Sequence, residues 1–183
     1  MAYICVDQIA GYAPALTDVD TEQKFPAGTK VRGFDAALGF GEFVYLKGLA
    51  STAVGELVKF DESGVTTRAT TGTRGPCAIA LYANTSATQW SWYQVYGVAV
   101  GKTATVAADA PVYATATAGT MDDAVSATNK VDGAITMTAD GAGSTTVAGF
   151  VVNQAGTKAQ ATYTVAAGTA LVHLSYPVMN GNG

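Results

Sequence analysis

The stretch "YGVAVGKTAT", Tyr96 to Thr105, decides between two folds, because its Gly-Lys-Thr ending is that of a phosphate-binding loop. Such a loop needs four residues between its glycines so that successive backbone N–H groups curl round a phosphate. Here three residues separate Gly97 from Gly101. The loop should also open a helix, yet "TATVAADAPVYATATAG" follows, with β-branched residues and Pro111 where helical turns would form. The stretch therefore reads as two short strands joined at Gly101, with Lys102 in solvent, and the chain as a β protein.

The rest of the sequence agrees. Its 183 residues suit one domain. They are 49% hydrophobic and only 13% charged, about half the usual charged share. Alanine, threonine, glycine and valine take the place of the missing charges, so the chain folds and leaves a surface weakly protected against association. The formal net charge is −4 and the ten Lys and Arg residues are scattered, which disfavours nucleic acid as a partner. The segment Gly75–Gly101 lacks charge but contains Asn84, Gln89 and Gln94, each costly in hydrocarbon, so no membrane partner is expected. The opening "MAYICVDQIAGYAP" has no basic or continuously apolar region of a secretory signal. Cys5 and Cys77, without C-x-x-C spacing, read as reduced thiols of a protein made in a cytoplasm.

Glycine and proline punctuation every ~8–12 residues without a helical period predicts an all-β sandwich or barrel of short strands. Residues 1–40, broken by Pro14 and Pro26, read as an extended N-terminal arm whose one candidate strand is "TKVRGF" (29–34); residues 41–183 read as the β domain. "GEFVYLKGLA" (41–50) is apolar on both faces, as a central strand is, and "TALVHLSYPV" (169–178) is the last strand before a flexible "NGNG" tail. Residues 55–83 and 109–139 echo one another. Each begins with a short strand round a valine (Val58, Val112), turns at a glycine (Gly64, Gly119) and meets a second glycine (Gly75, Gly133) before an apolar strand. A short helix capped by Asp122 fits "DDAVSAT".

No catalytic constellation, metal site or cofactor site is expected. His173 is the only histidine, and no G-x-S-x-G elbow offers it a nucleophile. Asp122, Asp123, Asp132 and Asp140 lack calcium-loop spacing and read as turn residues. "TQWSWYQVY" (88–96) places Trp90 and Trp92 on one face of a strand and Tyr93 on the other. These aromatics suit a core strand or a trimer interface equally, and a sugar-stacking platform less well.

Three segments carry a family resemblance: "FPAGTKVRGFDAALGFGEFVYLKGLASTAVGELVKFDESGVTTRAT" (25–70), "GPCAIALYANTSATQWSWYQVYGVAVGKTATVAADAPVYATATAGTMDDA" (75–124) and "VDGAITMTADGAGSTTVAGFVVN" (131–153). Within them stand, in order, a G-[DE]-x-V unit at Gly55–Val58, a G-x-A-x-A unit over Gly75–Ala80 with a misfit at Pro76, W-Y-Q-V-x-G at Trp92–Gly97 and V-A-G at Val147–Gly149. In this order the chain resembles the capsid decoration, or cement, proteins of tailed bacteriophages. The resemblance implies a small β-barrel or β-tulip that sits on the capsid exterior of a virion as a homotrimer. It would occupy three-fold and quasi-three-fold positions and stabilise the expanded shell by bridging major capsid proteins, with no enzymatic activity. It makes the arm a candidate strap, with Lys24, Phe25, Pro26, Lys30 and Arg32 as candidate capsid contacts. On that view deletion of residues 1–28 leaves the β domain folded. The alternative is a carbohydrate-binding or adhesive module with Trp90, Trp92 and Tyr93 as its platform.

Overall fold

The computed structural model describes residues 3–126, 128–152 and 158–179; the "NGNG" tail lies outside the described residues. It is all-β, and every pair of its strands is antiparallel. In chain order the strands are β1 (Ile4–Cys5), β2 (Val19–Asp20), β3 (Lys30–Asp35), β4 (Gly39–Lys47), β5 (Leu57–Phe60), β6 (Thr66–Arg68), β7 (Gly75–Ala80) and β8 (Trp90–Lys102). There follow β9 (Pro111–Ala114), β10 (Met121–Asp122), β11 (Lys130–Thr136), β12 (Gly143–Val152), β13 (Lys158–Val165) and β14 (Thr169–Met179). Twelve of them form one sheet whose main path runs β1-β3-β4-β8-β7-β14-β11-β9-β10, with β2, β5 and β6 beside it, while among the described residues β12 and β13 pair only with each other. Among the described residues the sheet keeps edges at β1 and β10 and does not close into a barrel, so the sandwich-like alternative describes it better.

Tyr96–Lys102 of the deciding stretch belongs to one thirteen-residue strand, β8, and is not two strands joined at Gly101. One edge of β8 takes β4; the other is shared in succession by β2, β7 and β14. Gly101 is there because a Cβ at that position would lie 2.3 Å from Met121 Cε, so the glycine that reads as a break is a packing requirement. Gly97 marks a true irregularity. Its φ is +89° and a Cβ would lie 2.3 Å from the Phe40 carbonyl oxygen, next to a register shift between β4 and β8. The buried Gln94 bridges this kink, its Nε2 donating to Tyr96 O (3.1 Å) and Val98 O (3.0 Å).

Over Phe43–Leu46 and Trp92–Val95 both faces of the sheet are covered, so side chains alternate between two cores. Phe43, Tyr45 and Trp92 enter one, with Tyr3, Leu16 and Val31 above them and Val147, Ala161 and Val165 of the β12–β13 ribbon beside them. Val44, Leu46, Tyr93 and Val95 enter the other, beneath Val58, Ala78 and Ala80. A third core, with Leu57, Ile79, Val112, Met121 and Leu174, joins the two echoing segments. The echo is visible in the pairing: β5 lies between β6 and β7, and β9 lies between β10 and β11. Both turn glycines, Gly64 and Gly119, have positive φ.

Two expectations need correction. The first forty residues are extended, but what they lie on is this chain's own sheet: Tyr3 and Leu16 are buried, β1 pairs with β3, and the expected boundary at residue 40 falls inside β4. The helix at "DDAVSAT" does not form over its described residues. Asp122 Oδ1 accepts from the N–H groups of Asp123 and Ala124, closing a turn directly after β10 instead of capping a helix.

Candidate docking surface

Lys102, expected in solvent, ends β8 with its Nζ 2.9 Å from Oε1 of Glu56. Glu56 is 1% exposed and also accepts from Arg68 Nη2 (2.9 Å) and from the Ala53 N–H (3.0 Å). Arg68 in turn donates to Ala118 O in the turn of the second echo unit. The lysine that imitates a phosphate ligand is therefore a structural cation. It helps neutralise a buried carboxylate where the two halves of the chain meet.

Trp92 and Tyr93 are core residues. Trp92 is 1% exposed, with its ring against Tyr45 (centroids 5.0 Å) and Phe25 (5.6 Å). Tyr93 Oη receives a hydrogen bond from Asn84 Nδ2 (2.8 Å) inside the opposite core. Trp90 is half-buried and stacks on Tyr45 at 5.7 Å and 14°. A sugar platform needs free aromatic faces, and those of Trp92 and Tyr93 are occupied within the chain.

The five candidate capsid contacts divide between the two sides of the sheet. Lys24 and Phe25 lie over the Tyr45–Trp92 core, Lys24 paired with Asp20 at 2.5 Å and Phe25 edge-on to Tyr45 at 5.3 Å, and the exposed Pro26 follows them, its carbonyl accepting from the Thr29 N–H. Lys30 and Arg32 project from the other face of β3, opposite Val44 and Glu42 of β4. Lys30 Nζ stands 5.0 Å from the centre of the Tyr176 ring. Arg32 grips Asp7 at 2.8 Å, which holds the Asp7 carboxyl below and the guanidinium above their ordinary values.

Between Lys30, Arg32 and the far strands lies a surface that sequence reasoning missed. On β3–β4–β8 the outer face is covered by β5 and β7 at one end and bare at the other. Register builds the bare end one or two residues per strand: Ile4 opposite Phe34, Phe34 opposite Phe40, Glu42 opposite Tyr96, and His173 opposite Ile135. The rings meet, Phe34 with Phe40 at 5.0 Å, and Tyr96 with Tyr176 at 5.6 Å and with His173 at 6.2 Å. Phe40 is 64% exposed, Ile4 71%, Ile135 54% and Tyr176 47%.

Tyr176 is placed by a bulge. Asp132 pairs with Val178 and Ala134 with Leu174, so Ser175, Tyr176 and Pro177 together face the single residue Gly133, whose Cβ would lie 2.5 Å from Ser175 O. Tyr176 is driven to φ +50°, a conformation costly for a residue with a bulky side chain. Its hydroxyl donates to Glu42 Oε2 at 2.5 Å, and that bond pushes the phenol above its ordinary pKa. Beside it a cleft of about 330 Å³ opens among Val44, Val95, Phe60 and Pro177.

The remaining sequence candidates have local roles. Asp123 Oδ2 accepts from the Ala107 N–H, Asp140 Oδ1 from Thr103 Oγ1, and Asp132 pairs with Lys130 at 3.2 Å. No family model, curated protein or solved structure matches the chain.

Proposed function

We propose that this chain is a capsid decoration protein. In this reading it binds the outside of a phage head as a homotrimer at three-fold and quasi-three-fold positions and stabilises the expanded shell by bridging major capsid proteins. The family reading comes from the ordered sequence units between Gly55 and Gly149. The observation that supports it in three dimensions is the bare aromatic face, contributed by strands from β1 to β14 and mounted on a body cored on both sides of β4 and β8. Contiguous apolar surface of this kind marks a site that another protein covers. A decoration protein acts by adding covered area where subunits meet, and a trimer multiplies modest contacts through effective concentration. The N-terminal residues that would have formed a strap pack on the chain itself, which leaves the body to make the contacts.

The test is the molar ratio of this chain to the major capsid protein in purified particles, by quantitative mass spectrometry. A ratio of order one is expected of a protein that decorates the whole shell. A ratio near zero removes the capsid role.

A further inference from the structure

We propose that the aromatic face is where a second copy of this chain docks, Phe40 of one copy entering the cleft beside Tyr176 of the next. The inference deepens the decoration reading and rests on it for the number of copies in the closed ring; the contact itself follows from the surface.

Three observations select a copy of the same chain as the occupant. The first is area. Ile4, Phe34, Phe40, Tyr96, Ile135 and Tyr176 are each between 39% and 71% exposed. Together they offer on the order of 600 Å² of mainly apolar surface. With a polar rim this approaches the roughly 800 Å² per partner of a stable interface, and it matches or exceeds the largest patch on an ordinary monomer.

The second is charge. The charged groups that border the rings are already engaged: Arg32 with Asp7, Glu42 with the Tyr176 hydroxyl, Lys30 over the Tyr176 ring. The face is therefore close to neutral, although the chain carries −4. A strongly charged partner gains nothing there, whereas a second copy meets no like-charge repulsion.

The third is shape. Phe40 is the most exposed ring of the face and stands at the start of β4, just after the tight turn from β3, a knob. The cleft of about 330 Å³ beside Tyr176 is large enough for an aromatic ring and is walled by Val44, Val95, Phe60 and Pro177. Knob and socket are different surfaces, so their pairing is heterologous and closes a ring when the rotation permits. The edge strand β1 borders the knob. Val6 N–H donates inward to Arg32 O, so by alternation the Cys5 N–H faces away from β3, towards an incoming copy.

Sedimentation velocity and light scattering on the full chain test this directly. At about 100 µM, some hundredfold above a micromolar Kd, the wild type is expected as an oligomer. Phe40→Asp and Ile4→Asp should each weaken self-association at least about thirtyfold, as loss of an interface anchor does. Val125→Asp, exposed on the loop after β10, should leave it unchanged. Near-UV circular dichroism confirms that each variant keeps its packed aromatic core, and the two knob-side variants protect the test against misfolding of either. A wild type that stays at 18.6 kDa, or folded Phe40→Asp and Ile4→Asp variants that keep the oligomer mass, would overturn the proposal. Self-association by this face combined with a particle ratio near zero would uphold the contact while removing the decoration reading.

Discussion

Leu16→Ala distinguishes an arm that lies on a partner from a segment that belongs to the core. Leu16 is 2% exposed, and its Cδ1 would stand 2.6 Å from a Cβ placed on Gly33, so it fills the space above that glycine and beside Phe43. Truncating a buried leucine with partial relaxation costs about 2–5 kcal/mol, whereas the same change on an exposed arm costs under about 0.5. With a urea m-value of about 2 kcal/mol/M, a loss of 3 kcal/mol moves the unfolding midpoint down by about 1.5 M. Gly33→Ala provides an internal check. In the wild type its new methyl meets Leu16 Cδ1 at 2.6 Å and Phe43 Cε2 at 2.9 Å and must displace both. In the Leu16→Ala background the first clash is gone and the second remains, so the double variant should be more stable than the sum of the singles by about 1 kcal/mol. A Leu16→Ala midpoint within about 0.25 M of wild type, or strictly additive singles, would refute the packing of residues 3–28 on the sheet. By the same reasoning, deletion of residues 1–28 removes Tyr3, Leu16, Phe25 and the Asp20 acceptor of the Tyr45 hydroxyl together. It should abolish cooperative unfolding, not leave the domain intact.

Other outcomes are equally specific. Glu56→Gln keeps the volume but leaves Arg68 and Lys102 without their shared carboxylate, and should cost about 3 kcal/mol in urea titration; an unchanged midpoint would mean the pairs contribute nothing. Gly97→Ala adds a methyl 2.3 Å from Phe40 O at a φ of +89°, and should cost about 3 kcal/mol or more, or prevent soluble expression. Burial raises both thiols and pushes that of Cys77 up to about 12, so Ellman's reagent at pH 8 should label the half-buried Cys5 ahead of Cys77, which reacts only as the chain unfolds. Its folded pKa lies above that of the unfolded thiol. Cys77 thus contributes stability that is complete below about pH 8.5 and is lost as pH rises towards 12. A Cys77→Ser variant with the same alkaline stability loss as wild type would contradict that assignment.

Much of the fold was legible because local patterns match local structure. The strands at 30–35, 39–47 and 169–179 follow runs of apolar residues on one or both faces, and the echo follows turn glycines at positive φ. The failures share a cause. Gly101 reads as a break because glycine usually is one, yet its role is set by Met121, twenty residues on and across a bridge between Thr103 and Met121. Tyr3 lies in the short run "AYICV" and Leu16 follows "APA", and neither stretch has a sustained period to announce that Phe43 waits for them. Lys102 reads as solvated because its partner, Glu56, is remote in sequence.

The docking surface was illegible for a stronger reason. Each strand supplies one or two of its residues, and which residues become neighbours is decided by register, a property that a single strand does not contain. The sequence does hold the lever that shapes it. In "SYPV" the proline biases Tyr176 away from helical geometry, and Gly133 on the facing strand leaves room for three residues to bulge where one would pair. A tyrosine held at positive φ costs of order 1–3 kcal/mol, and its exposed ring recovers little of that inside one chain. Tyr176→Gly relieves the backbone and deletes the ring. It should therefore raise or preserve monomer stability while weakening the contact between copies, and a variant that lost stability without losing self-association would show the bulge to serve folding alone.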